Sequence, residues 1–273
     1  MRYTAQGIGR VRKSSKKLSP ELTRPFTPPP SFMNHRVDAQ RKFATTTLAL
    51  ADVKQTAKQL GVTINDMVLA ISAGALRRLS LKYDGRADHP LLASVPVSFD
   101  FSPDRISGNY FTGVMMVVPI QLNDPLERVQ AVHDAAVDAK ETHHLLGPEL
   151  VSRWAAYFPP APAERLFHWL ADKDGQNKVL NIPISNVPGP REPGRVGGAL
   201  VTQIYSVGPL TTGSGLNITV WSYVDQLNIS VLSDGATLLD PHELTDAMID
   251  AFIEIRRAAG FSEELTVIEE AVT

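Results

Sequence analysis

The order of elements in this chain predicts an α/β domain: a mixed β-sheet flanked by helices. Three observations carry that expectation. Strand-like and helix-like periodicities alternate along the sequence instead of segregating into blocks. Residues 216–224 and 227–232, joined at Asp225-Gln226, read as a hairpin, which brings antiparallel pairing into the sheet. The run Asn-Ile-Pro-Ile-Ser-Asn-Val that starts at Asn181 is halted by Pro188-Gly189-Pro190, so a strand ends there in a rigid turn, with Gly189 the one residue free to take φ > 0. The domain is expected over residues 35–262, after a basic, proline-rich arm or linker at 1–34 and before a tail at 263–273.

With 273 residues the chain is long enough to bury a sizeable core, and 43% hydrophobic with 21% charged residues is ordinary for a globular protein. There is no cysteine, which removes disulfides, thiolate metal sites and a cysteine nucleophile, and fits a cytoplasmic protein. The net charge of −2 argues against a general nucleic-acid binder. It hides an asymmetry, because Arg2, Arg10, Arg12, Lys13, Lys16, Lys17 and Arg24 stand against Glu21 alone in the first 24 residues. That arm ends in Pro28-Pro29-Pro30, a stiff extended spacer. No apolar run approaches the roughly 18 residues of a membrane span.

Residues 43–50 alternate as a strand, with Thr45 and Thr47 on one face and Leu48 and Leu50 on the other. Residues 52–60 follow as a short helix lined by Val53, Ala57 and Leu60 and closed by Gly61. Thr63 then stands as N-cap, Asp66 at the N3 place of a capping box, and Val62 with Met67 as a hydrophobic staple; Ile64, Met67, Val68, Ile71, Ala75 and Leu79 carry the helix to about Lys82. Residues 91–98 form a strand that Pro96 places at an edge or near its own end. A polar loop over 99–109 follows, and the continuously apolar residues 112–120 predict a strand covered on both faces. Asp124-Pro125-Leu126-Glu127 opens a helix whose inner side is Val129, Val132, Ala136, Ala139 and His143.

Residues 149–171 read as two short helices split by Pro159-Pro160, the most aromatic part of the chain. Strands are expected at 179–185, 200–207 and 216–224. The last helix opens at Asp240-Pro241-His242-Glu243 and turns Leu244, Ala247, Met248, Ala251, Phe252 and Ile255 inward.

The residues contain no G-x-S-x-G elbow, P-loop or complete G-x-G-x-x-G; Gly213-Ser214-Gly215 lacks the third glycine. No metal-ligand spacing links the histidines. His143-His144 lies at the end of an amphipathic helix, where packing and a charge–dipole role account for it.

Thr63-Ile64-Asn65-Asp66 opening a helix, Ser94-Val95-Pro96-Val97-Ser98, Gly108-Asn109, Ser185-Asn186-Val187-Pro188-Gly189-Pro190 and Gly215-Leu216-Asn217-Ile218-Thr219 stand in one order. In that set the chain resembles the C-terminal portion of the bacterial wax ester synthase/diacylglycerol acyltransferase (WS/DGAT) family, over about residues 29–260. The resemblance implies a chloramphenicol-acetyltransferase-like fold, that of the CoA-dependent acyltransferases. It implies transfer of a fatty acyl group from acyl-CoA, a co-substrate and not a bound cofactor, to diacylglycerol or a long-chain alcohol. The family's His-His-x-x-x-Asp-Gly signature is absent: His143-His144 is followed by Leu145-Leu146-Gly147-Pro148-Glu149. No catalytic residue is therefore assigned, and the general base is expected from an N-terminal acyltransferase domain as partner. Without it the chain should be weak or inactive.

On the same resemblance Asn65 is expected as an amide donor near the reacting centre and Asp66 as the group orienting a partner. Asn186 and Gly189 would shape a substrate tunnel that Tyr205, Asn217 and Thr219 line. The basic arm and the aromatic segment, with the family likeness, point to a membrane or lipid-droplet surface. Two other readings stay open: a non-catalytic lipid- or partner-binding module on the same scaffold, and an enzyme acting on carrier-protein-bound acyl groups.

Overall fold

A computed structural model describes residues 28–98, 111–146 and 179–268, with the side chains of 98, 111–112 and 140–146 outside that description. Residues 1–27 of the basic arm, the Gly108-Asn109 loop, the aromatic segment and the side chains of His143-His144 thus lie outside the described residues. The eight strands and four helices described are β1 (Arg41–Ala49), α1 (Leu50–Leu60), α2 (Ile64–Tyr83), β2 (Leu91–Ser98), β3 (Phe111–Val118), α3 (Pro125–Leu146), β4 (Ile182–Pro188), β5 (Arg195–Val196), β6 (Ala199–Leu200), β7 (Leu216–Tyr223), β8 (Gln226–Asp234) and α4 (His242–Ala258).

Six strands form one mixed sheet in the order β1-β8-β7-β4-β2-β3. β4 runs parallel to β2 and β7, while β1, β7 and β8 make an antiparallel meander and β2 pairs antiparallel with β3. Paired residues share a face. One face carries Leu48, Leu227, Ile229, Val231, Ile218, Val220, Ile184, Ile182 and Ala93, all buried in the core beneath the helices. The other carries Thr45, Thr47, Asn217, Thr219, Trp221, Tyr223, Asn228 and Ser230.

The helix starts form as their side chains dictate. Thr63 accepts from the Asp66 N–H at 3.2 Å while Asp66 Oδ2 accepts from the Thr63 N–H at 3.0 Å, the reciprocal capping box. Asp124 Oδ1 takes the N–H groups of Leu126 and Glu127, both at 2.9 Å, and starts α3. Gly61, at φ 70°, closes α1 in the left-handed conformation. Leu244, Ala247, Met248, Ala251, Phe252 and Ile255 of α4 all face the core.

Three expectations are corrected. Among the described residues β3 is an edge strand, with Gly113 exposed and Val114, Met115 and Val117 half-buried, so an unbroken apolar run here does not mean two covered faces. Residues 201–210 are no strand but a strap lying across the polar face of the sheet. β7, β8 and β4 already have neighbours on both sides, so strap backbone groups at Val201, Ile204, Gly208 and Pro209 bond side chains of the sheet, while the Val201 N–H donates to the Gly194 carbonyl at 2.9 Å. Gly189 does not take positive φ. Within residues 1–34, Met33 is fully buried, and Asn34 Nδ2 donates to the carbonyls of Asn181 and Gly213 at 3.1 and 3.0 Å. At the other end Thr266 N donates to Asp52 Oδ2 at 2.8 Å, so residues past 262 are tied to α1. Pro96 fits its reading, since β2 pairs with β4 only through Ala93 and Ser94 and is unpaired on that side where the proline stands.

Candidate functional site

The first turn of α2 and the end of β4 meet on the helix-covered side of the sheet. Asn186, opposite Val220, projects toward α2, and its Nδ2 donates to Asn65 Oδ1 at 3.4 Å. With Oδ1 engaged, Asn65 Nδ2 keeps both protons uncommitted among the described residues. Two amides thus stand together at the C-terminal end of β4, between its parallel neighbours β2 and β7, where open α/β sheets hold ligands.

Asp66 is one residue on from Asn65, about 100° round the helix, and it faces α3. It is 1% exposed. Its Oδ2 takes the Thr63 N–H and also the Nδ1–H of His133, at 2.9 Å, while Oδ1 is enclosed without a partner among the described residues. His133 was not singled out by sequence reasoning. It follows Val132 and lies between Val129 and Ala136, on the flank of the buried stripe of α3. That spacing shows it near the core boundary, but nothing in the sequence shows that Asp66 faces it.

Gly189 owes its identity to space. A Cβ there would stand 2.0 Å from Trp221 Nε1 and 2.1 Å from the Ser222 carbonyl oxygen, and the Gly189 N–H donates to Ser222 Oγ at 3.1 Å. The turn after β4 is therefore pressed flat against the end of β7.

Tyr205, Asn217 and Thr219 lie on the opposite face and serve the strap. Tyr205 Oη bonds Thr47 Oγ1 at 2.6 Å, Asn217 Nδ2 donates to the Pro209 carbonyl at 3.0 Å, and Thr219 Oγ1 takes the Gly208 N–H at 3.1 Å. Gly208 has to be glycine here, because a Cβ would fall 2.6 Å from Asn217 Oδ1. The seven expected residues thus make two groups separated by the sheet, with Gly189 at its rim. Displaced protonation occurs at the far end of α2, where Lys82 Nζ donates to Glu243 Oε2 at 2.6 Å and holds that carboxyl below its ordinary value. Among the described residues, no single helix is long and apolar enough to cross a membrane.

Comparison with known proteins places this arrangement. The family description "WS/DGAT C-terminal domain" matches residues 107–256, and "Wax ester synthase/diacylglycerol acyltransferase catalytic domain" matches residues 1–68. β1 and α1 fall in the second match yet share a sheet and core with the first. A Mycobacterium tuberculosis protein provisionally named a diacylglycerol O-acyltransferase is 72% identical over 272 residues, 100% of this chain and 58% of that protein. The O-acyltransferase WSD of Acinetobacter baylyi is 31% identical over 216 residues, 79% of this chain and 46% of its own length. The chain therefore spans about half the length of these relatives. Among solved structures, the wax ester synthase/diacylglycerol acyltransferase of Marinobacter aquaeolei VT8 superposes with a TM-score of 0.70 at 24% identity, covering 95% of this chain and 57% of that one. At that identity the likeness speaks for the fold, and it bears out the acetyltransferase-like class. With the profile match extending over more than half of its residues, the chain belongs to the wax ester synthase/diacylglycerol acyltransferase family.

Proposed function

We propose that this chain forms one side of an acyl-CoA-dependent O-acyltransferase that esterifies diacylglycerol or a long-chain alcohol, and that the histidine general base comes from residues outside it. The single observation that carries the reading is the amide pair Asn65–Asn186, set at the C-terminal end of β4 with Asn65 Nδ2 unspent among the described residues.

In direct transfer the hydroxyl oxygen attacks the thioester carbonyl, a base removes the hydroxyl proton, and the CoA thiolate leaves. Negative charge grows on the carbonyl oxygen. A fixed amide N–H aimed at that oxygen stabilises it without reorganising, and loss of one such donor costs about 2.7–4 kcal/mol of barrier. Asn65 has the chemistry for this role.

The experiment combines this chain with the N-terminal acyltransferase domain expected as its partner and measures ester formation from acyl-CoA with diacylglycerol and with a fatty alcohol. The combined protein should make ester, this chain alone should make little or none, and Asn65→Ala should lower kcat about 10²–10³-fold. Acyl-CoA binding without any turnover by the combined protein would transfer the case to a non-catalytic lipid-binding module. Transfer from an acyl carrier protein but not from CoA would reassign the donor.

A further inference from the structure

We propose that His133 is a positioning residue for Asn65, acting through the buried carboxylate of Asp66. The capping box alone does not account for this carboxylate. Capping a helix needs one acceptor at the surface, and an ordinary N3 acid keeps its second oxygen in water. Asp66 is enclosed instead. Its Oδ2 carries both of its hydrogen bonds, from the Thr63 N–H and from His133 Nδ1–H, and Oδ1 has none among the described residues.

A buried carboxylate is expensive unless donors surround it. Among the described residues His133 is its only side-chain ion-pair partner. Without the imidazole the enclosed group keeps one neutral donor. It must then turn outward to find a second donor, and that change disturbs the bond to Thr63 N that sets the first turn of α2. Asn65 stands on that turn, next to Asp66, and among the described residues its amide is held on the other side only by the long 3.4 Å bond to Asn186. The pull from α3 through Asp66 is therefore what keeps the Asn65 amide in one orientation. Because Nδ1 donates to a carboxylate, the neutral ring carries its proton on Nδ1 and leaves Nε2 as the acceptor.

The contact stands whatever the chain's activity; only the consequence for turnover rests on the acyltransferase reading. The test has two parts. In this chain, nitrogen-detected NMR of His133 should show the Nδ1-protonated form. His133→Ala should shift the side-chain amide signals of Asn65 and speed hydrogen exchange at the Thr63 and Asp66 amides, and His133→Asn, whose Nδ2 falls near the place of Nδ1, should leave both close to wild type. In the combined protein His133→Ala should lower kcat about ten- to a hundredfold with little change in the KM for acyl-CoA, and His133→Asn should recover most of the loss.

An Nε2-protonated ring, or Asn65 signals indifferent to His133→Ala, overturns the proposal. So does a kcat loss that His133→Asn fails to recover. If the combined wild-type protein makes no ester, the acyltransferase reading fails, and the NMR result still decides the positioning claim.

Discussion

On the helix-covered face of the sheet Ile218, Val220, Ile229 and Val231 are each exposed by no more than 1%; on the opposite face Asn217, Thr219, Asn228 and Ser230 are exposed by no more than 4%. The same strands thus reach the same depth of burial on both sides by opposite chemistry. Under the helices burial is non-directional, and any side chain of the right volume serves. Under the strap each polar group needs a partner in a fixed direction. Tyr223 Oη, for example, donates to the Val201 carbonyl at 2.7 Å and accepts from the Gly194 N–H at 2.8 Å. The supply is incomplete: Trp221 Nε1, Gln226 Oε1 and Ser230 Oγ have no protein partner among the described residues. One face holds the domain together, and the other holds a segment onto it.

The largest effect should come from Phe252→Ala. Phe252 is fully buried on α4 over the apolar face, so truncation should cost about 3–5 kcal/mol in urea unfolding, while Phe252→Leu should cost less than half as much. A loss under about 1 kcal/mol would mean that this face is not the core.

Gly189→Ala should come next, at about 1–3 kcal/mol, because the added methyl meets an indole nitrogen and a backbone carbonyl with nowhere to move. Gly189→Asn sharpens the cause. Asparagine tolerates positive φ, so if conformation were the reason, Asn would be milder than Ala. If space is the reason, Asn is at least as costly, and the near-ultraviolet dichroism of the tryptophans changes in both variants.

How much of this was legible follows the same divide. The capping box at Thr63 and Asp66, the inward stripe of α4 and the β7–β8 hairpin could be read because each is a local pattern with a fixed period or spacing. The strap could not. Residues 200–207 carry a strand-like pattern, and only the sheet order, in which β4, β7 and β8 are already paired on both sides among the described residues, shows that no edge there is open to them. The site was half legible. Asn65 and Asn186 belong to motifs and do meet, but Asn217 and Thr219 alternate onto the other face, a consequence of register that one strand cannot disclose, and Tyr205 lies in the strap that covers that face. His133 stayed hidden for a related reason: its partner is 67 residues away.

The smallest effect on overall stability should come from Asn228→Ala, yet it tests the comparison most directly. Asn228 Nδ2 donates to the Ile204 carbonyl at 3.0 Å, and its Oδ1 accepts from Thr47 Oγ1 at 3.0 Å. Removing the amide takes away a clamp on the strap but no part of the apolar core, so urea unfolding should lose about 1 kcal/mol. Hydrogen exchange should respond differently. Amides over 201–208 should lose protection, while those of β7 and β8 keep theirs, because their ladder bonds and the helices on the far face are untouched. If protection falls throughout β7 and β8 as well, strap and sheet open as one unit and the two faces are not independent. If the strap's amides do not change, its hold lies in Tyr223 and Thr219 instead, and Tyr223→Phe should then release it.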